Sequence, residues 1–98
     1  MNAGRSYIDI GQEIGALVTE KQAAYGDSFG KAGQIMRVLY PNGIQVEKLD
    51  DALTIVRVID KLFRIAHAPV AGKDPMGESP WRDIAGYAIL SVRRVEDA

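Results

Sequence analysis

The chain has 98 residues, of which 47% are hydrophobic and 26% charged, and its formal net charge is −1. This length predicts one domain covering residues 1–98, and the apolar fraction excludes a disordered chain. The near-neutral charge gives no global field that would draw the protein to nucleic acid or to acidic membranes.

The absence of cysteine excludes disulfides and thiolate metal sites and is typical of a reducing compartment. Residues 1–6 contain no apolar run, so we expect no signal peptide. No apolar stretch approaches the roughly 20 residues that a membrane-spanning helix needs. The sequence therefore predicts a soluble, cytoplasmic protein.

The first half of the chain has helical periodicity and no strand-like alternation. The first predicted helix covers about residues 6–24, and Gly26 and Asp27 end it. Asp27 or Ser28 can cap a short second helix that ends near Tyr40. Residues 41–43, Pro-Asn-Gly, predict a turn. The predicted core face of the first helix carries Ile10, Ile14, Leu17, Val18 and Tyr25.

A third helix is predicted over about residues 46–68, and apolar residues cover about two thirds of its circumference. A helix of this kind lies at the centre of a bundle or is shared with a partner subunit. Residues 69–77 form a Gly- and Pro-rich loop. Ser79 as N-cap and Pro80 at the first position begin a fourth helix that runs to about Glu96. We therefore predict an all-α, four-helix bundle, with or without one short extra helix.

A charged stripe on the third helix is the main candidate for chemistry. It contains Arg57, Asp60, Lys61 and Arg64 within two turns. Such residues can simply form a solvated face, with Asp60 and Arg64 as neighbours four residues apart. Phosphate groups also favour this set, because arginine binds oxygens through two N–H groups and lysine adds a point charge.

Acids elsewhere can support the same site. Asp83 lies in the first turn of the fourth helix, where the helix dipole alone favours an acid. With Tyr87 and Arg94 it lines one edge of this helix and can point into a pocket between helices. The opposite side carries the predicted packed residues Trp81, Ile84, Ala88, Val92 and Val95. Glu20 can offer one carboxylate to a metal ion held by another helix. Lys21, on the apolar face, either extends to water or meets a phosphate.

Three motifs resemble the nucleotide-modification-associated domain 1 family of small bacteriophage proteins, which is similar to the MazG-like all-α nucleoside triphosphate pyrophosphatases. The resemblance covers about residues 13–90. The motifs are Lys21 with Tyr25-Gly26-Asp27-Ser28-Phe29, Arg57-x-x-Asp60-Lys61-x-x-Arg64, and residues 77–88 from Gly-Glu-Ser-Pro-Trp to Gly-Tyr-Ala.

This resemblance implies a MazG-like bundle that forms a homo-oligomer, dimer or larger, in the host cytoplasm, and binds Mg²⁺ and a nucleotide. The implied metal ligands are Glu20, Asp60 and Asp83, and the implied catalytic acids are Glu20 and Asp60. The implied phosphate-binding cations are Lys21, Lys61 and Arg64. We predict Tyr25, Arg57 and Tyr87 as further substrate-binding residues.

The leading functional hypothesis is a Mg²⁺-dependent nucleoside triphosphate pyrophosphohydrolase. The MazG-like enzymes pair acids at Glu-x-x-Glu spacing, whereas here Glu13 is followed at that distance by Ala16, and Glu20 by Ala23. This difference favours a second hypothesis, a protein that binds or sequesters a nucleotide or cyclic nucleotide without turnover. A third is a structural helical protein that uses its broad apolar helix to bind a partner.

Overall fold

The computed structural model describes residues 4–69 and 79–98, and all the secondary structure in these ranges is helical. The predicted all-α class and its four helices are confirmed, and most boundaries agree within two residues. The third helix begins later than predicted, because residues 46–48 form a 3₁₀ turn in front of it. Most of the predicted 69–77 loop lies outside the described residues. The helices are α1 (Tyr7–Tyr25), α2 (Ser28–Leu39), α3 (Leu49–His67) and α4 (Pro80–Glu96).

Side-chain caps determine where the first two helices begin. The hydroxyl of Ser6 accepts a hydrogen bond from the Asp9 N–H at 3.1 Å. The carboxylate of Asp27 accepts one from the Gly30 N–H, also at 3.1 Å. Such caps satisfy N–H groups that have no partner within the helix. Of the two predicted caps for α2, Asp27 therefore performs this role, and Ser28 is the first helical residue.

The start of α4 differs in one detail from the prediction. Pro80 occupies the first turn, as expected, and is buried. Ser79 precedes it in extended conformation, but its side chain makes no capping hydrogen bond. The fixed φ of proline, and not a serine cap, therefore defines this helix start.

Helix α3 is the common partner of the other three helices, which make few contacts with one another among the described residues. The buried hydrophobic residues of the described ranges are Tyr25, Ala52 and Ile59. The radius of gyration is 17.4 Å, whereas a compact domain of this length has about 13 Å. One chain therefore forms an open arrangement with a thin core, and α3 is its centre, as predicted.

The predicted core face of α1 is largely exposed. Ile14, Leu17 and Val18 remain about half accessible, and Tyr25 is the buried member of the set. Among the described residues, Gly11 and Gly15 have no neighbouring atom within 4 Å of the position that a Cβ would occupy. These glycines are therefore surface residues and not points of close helix approach.

The orientation of α4 also corrects the prediction. Asp83, Tyr87 and Arg94 face α3, whereas the predicted packed residues Trp81, Val92 and Val95 are exposed. The reason is that α3 presents polar side chains toward α4, and these pair with the polar edge of α4.

The described helices are each too short or too polar to span a bilayer.

A tight contact occurs where α1 ends. Gly26 has a left-handed backbone with φ of 65°, and its N–H donates to the Gln22 carbonyl. A Cβ added at Gly26 would lie within 2.6 Å of three ring atoms of His67 on α3. The His67 ring is in turn hydrogen-bonded to the Phe63 carbonyl at 2.9 Å. Gly26 is thus required both by its φ and by the ring beside it.

Gly43 provides a matched control, because it also has positive φ but has open space around it. We expect Gly43→Ala to lower the free energy of unfolding by about 1–2 kcal/mol, which is the strain of a side chain at positive φ. Gly26→Ala should lower the free energy of unfolding by about 1–3 kcal/mol more than this, because the added methyl group overlaps the His67 ring. Urea unfolding of both variants, with and without His67→Ala, measures the difference. Equal losses at both glycines would contradict the contact.

Candidate functional site

Polar side chains join α3 and α4 at matching intervals along the two antiparallel helices. The pairs are Asp51 with Arg94, Arg57 with Tyr87, and Lys61 with Asp83. The two ion pairs have N–O distances of 3.0 Å, and the guanidinium carbon of the middle pair lies 6.0 Å from the ring centre. These contacts hold the polar edge of α4 against the charged stripe of α3.

Asp60 is held from two sides. The buried hydroxyl of Ser28, on α2, donates to one carboxylate oxygen at 3.0 Å. The Arg64 guanidinium lies 3.5 Å from the other oxygen, one turn along α3. Arg64 in turn stacks on the ring of Tyr25, 4.3 Å from its centre. The hydrogen bond from Ser28 and the ion pair with Arg64 together hold the Asp60 side chain in place.

A cavity of about 500 Å³ lies between α2, α3 and α4. This volume is in the range of small-molecule sites, about 300–1,000 Å³. Its walls include four predicted site residues together with two residues from α2. They are Arg57, Asp60, Lys61 and Tyr87, with Ser28 and Phe29. We call this space the polar cavity.

Lys61 and Arg57, the cations of the polar cavity, differ in whether a carboxylate neutralises their charge. The Lys61 ammonium is paired with Asp83, and its side chain is only 12% exposed. Arg57 is exposed, and in residues 4–69 and 79–98 it has the Tyr87 ring and no carboxylate as partner. A guanidinium without a carboxylate partner leaves its N–H donors available to a bound anion.

Glu20 and Lys21 lie apart from this cluster. Glu20 is exposed on α1 and does not line the polar cavity. Lys21 lines a second space of about 360 Å³ together with Val18, Gln22 and Phe29. We call this space the apolar cavity. The structure thus brings Asp60, Lys61, Arg57 and Tyr87 together and leaves Glu20 outside them.

Asp27 holds the junction between α1 and α2. The Gln22 amide donates to it at 2.7 Å and the Gly30 N–H at 3.1 Å. These bonds hold the pKa of Asp27 below its ordinary value of 3.8. Because the folded pKa is lowered, the bonds stabilise the folded chain above pH 4 and are lost as the pH falls through the folded pKa.

The acids of the site are distributed along the helices. Within residues 4–69 and 79–98, no three His, Asp or Glu side chains lie close enough to hold a metal ion together. Asp60 lines the polar cavity, and Asp83 is joined to its edge through Lys61. A metal ion at this position would therefore need ligand oxygens in addition to these carboxylates.

From the sequence alone, Ser28 is a candidate helix cap and Phe29 has no predicted role. Ser28 is 7% exposed and bonds to Asp60, 32 residues away along the chain. Phe29 lines both cavities and is 95% exposed. The available signal was an aromatic residue in the first turn of a capped helix. Which residues lie beside it depends on how α2 packs on α3, and the sequence pattern does not contain this.

Comparison with known proteins found no matching family model, no similar curated protein and no similar solved structure. The geometry of the cavity therefore carries the functional argument, and the family resemblance stays a prediction.

The bond between Ser28 and Asp60 can be measured in a double-mutant cycle. We expect Ser28→Ala to lower the free energy of unfolding by about 1.5–3 kcal/mol, because it removes a hydrogen bond to a charged group. In an Asp60→Ala background the same change should cost much less, since its partner is already absent. Urea unfolding of the four proteins gives the coupling energy. Additive losses would mean that the two side chains do not interact.

Proposed function

We propose that the polar cavity binds the phosphate groups of a nucleotide or a similar phosphorylated small molecule. The observation that carries this proposal is the position of Arg57 and Lys61 on one wall, with no described carboxylate paired to Arg57. A fork of N–H donors beside an ammonium group suits the oxygens of a phosphate chain.

The ring of Tyr87 supports Arg57, one of the cations that would bind phosphate. Tyr87 lies under the Arg57 guanidinium and limits where that group can move. An ordered cation loses less entropy on binding than a free one, which favours affinity. Ser28 also lines the cavity, but its hydroxyl donates its proton to Asp60 and is therefore not a donor to phosphate.

Arg64 and Tyr25 support this proposal as positioning residues. The Arg64 side chain is 11% exposed and lies against the Tyr25 ring, next to Asp60. Neither residue lines the polar cavity. They would therefore act by holding Asp60 and α1 in place, which differs from the direct phosphate contact that the resemblance implies for Arg64.

Hydrolysis with Mg²⁺ is the second candidate, and the presence of Asp60 in the cavity favours it. Mg²⁺ commonly binds one or two carboxylates together with substrate phosphates and water, so Asp60, which lines the cavity, would serve as one carboxylate ligand, whereas Asp83 is engaged by Lys61. The ion would neutralise charge on the phosphoryl oxygens. Asp60 can also accept a proton in the cavity, whereas Glu20 would have to approach from α1.

The binding proposal is tested by titration with a nucleoside triphosphate and with inorganic tripolyphosphate. Lys61→Met keeps most of the side-chain volume and removes the charge. We expect it to weaken both ligands by about 10-fold or more, since a charged hydrogen bond contributes about 1.5–3 kcal/mol. Lys48→Met, away from the polar cavity, is the matched control. Equal affinities for the wild type and both variants would overturn the proposal.

Asp60→Asn separates binding from hydrolysis in the same assay. Without Mg²⁺ this variant should bind polyphosphate more tightly than the wild type, because one negative charge leaves the cavity. With Mg²⁺, a hydrolase should release pyrophosphate from the triphosphate only when Asp60 is intact. Binding with no release by the wild type supports a protein that sequesters its ligand.

We further propose that the chain forms a homo-oligomer through α4. Five residues spaced alternately by four and three positions form an exposed apolar stripe on this helix: Trp81, Ala85, Ala88, Val92 and Val95. This spacing is typical of a seam between two helices. A second copy supplies the same stripe, and the thin core of one chain favours a permanent partner.

Sedimentation or light scattering across a concentration series tests this interface. Val92 is 57% exposed on the stripe, and Val38, on α2, is 79% exposed. Val92→Glu should raise the dissociation constant about tenfold or more, because it buries an unpaired charge. Val38→Glu should leave the mass unchanged, and circular dichroism checks that both variants stay helical. An oligomer insensitive to Val92→Glu would place the interface elsewhere.

A further inference from the structure

Phe29 joins the two cavities described above. It lines the polar cavity beside Ser28 and also lines the apolar cavity beside Val18 and Lys21. Its side chain is 95% exposed, so both its position and its accessibility are unusual for a large aromatic residue. A molecule with a charged end in one space and a flat body in the other would contact this ring.

The position of Phe29 is anchored from both sides. Ser28, its neighbour in the chain, is buried and bonded to Asp60 on α3. Asp27, two residues before it, caps α2 and accepts a hydrogen bond from the Gln22 amide on α1. The backbone that carries the ring is therefore connected both to the wall of the polar cavity and to that of the apolar cavity.

The walls of the apolar cavity suit a planar heteroaromatic group. Val18 and Phe29 supply apolar surface, and the methylene groups of Lys21 and Gln22 extend it. The Gln22 NH₂ group is engaged by Asp27, which as a carboxylate can only accept. Within residues 4–69 and 79–98 no donor contacts the amide carbonyl oxygen, which can therefore accept from a polar edge of a ligand.

We propose that Phe29 is the stacking platform for the base of a nucleoside phosphate, whose phosphates lie in the polar cavity. This inference rests on the proposed phosphate binding and narrows its ligand class from phosphorylated molecules in general to nucleotides. Every base has a π face, so stacking on one ring gives affinity without strong base selectivity. Phe29 then separates nucleotides from inorganic polyphosphate.

The experiment compares adenosine triphosphate with inorganic tripolyphosphate, titrated by calorimetry into the wild type, Phe29→Ala and Phe29→Trp. We expect Phe29→Ala to lose about 5- to 100-fold in affinity for the nucleotide, as for loss of one base–aromatic stack. Its affinity for tripolyphosphate should fall much less than its affinity for the nucleotide, and Phe29→Trp should retain nucleotide binding. Tyr7→Ala, at a 93% exposed aromatic residue outside both cavities, is the matched control and should have no effect.

The outcomes separate this inference from the proposed function. A wild type that binds both ligands with equal affinity retains phosphate binding and overturns base stacking. Equal losses for both ligands in Phe29→Ala would mean that the ring supports the fold, and this also overturns stacking. A change in oligomer mass in Phe29→Ala would assign the ring to a subunit interface instead. If neither ligand binds the wild type, the proposed function itself fails.

Discussion

The pairing of α3 with α4 is the constraint on which the rest of the described structure depends. Ion pairs near the two ends of the interface, with Arg57 over Tyr87 between them, match in spacing along both helices. Each ion pair is partly exposed and by itself stabilises little, about 0–1 kcal/mol. Their effect is on register and rotation, because turning α4 would separate all of these contacts together. The same contacts line up the wall of the polar cavity.

The helices were predictable because their signals are local. Gly26, Asp27 and Pro80 mark ends that periodicity alone leaves uncertain, and the observed boundaries lie close to them. Which side of α4 packs against α3 was not predictable in this way. A helical wheel assigns the apolar side to the core, but α3 offers α4 a charged surface. The polar edge of α4 therefore turned inward, and its Trp81 and Val92 side remained exposed.

The candidate site was predictable in part, and the reason is the same. Arg57, Asp60 and Lys61 share one helix, so their spacing alone predicted that they would lie together, and they line one cavity. Residues from other helices depend on packing that a sequence pattern does not contain. Glu20 was grouped with these acids but is exposed on α1, whereas Ser28, predicted only as a candidate cap, bonds to Asp60.

Helix α4 has two functions in these proposals, because opposite sides of one rigid rod carry Tyr87 toward the cavity and Val92 toward a second subunit. A contact that restrains the position of α4 on one side also restrains it on the other side. If subunit association changes the affinity of the cavity for its ligand, ligand binding changes the association constant by the same factor. A ligand that binds the oligomer more tightly than the single chain would then show an apparent affinity that rises with protein concentration, as mass action requires.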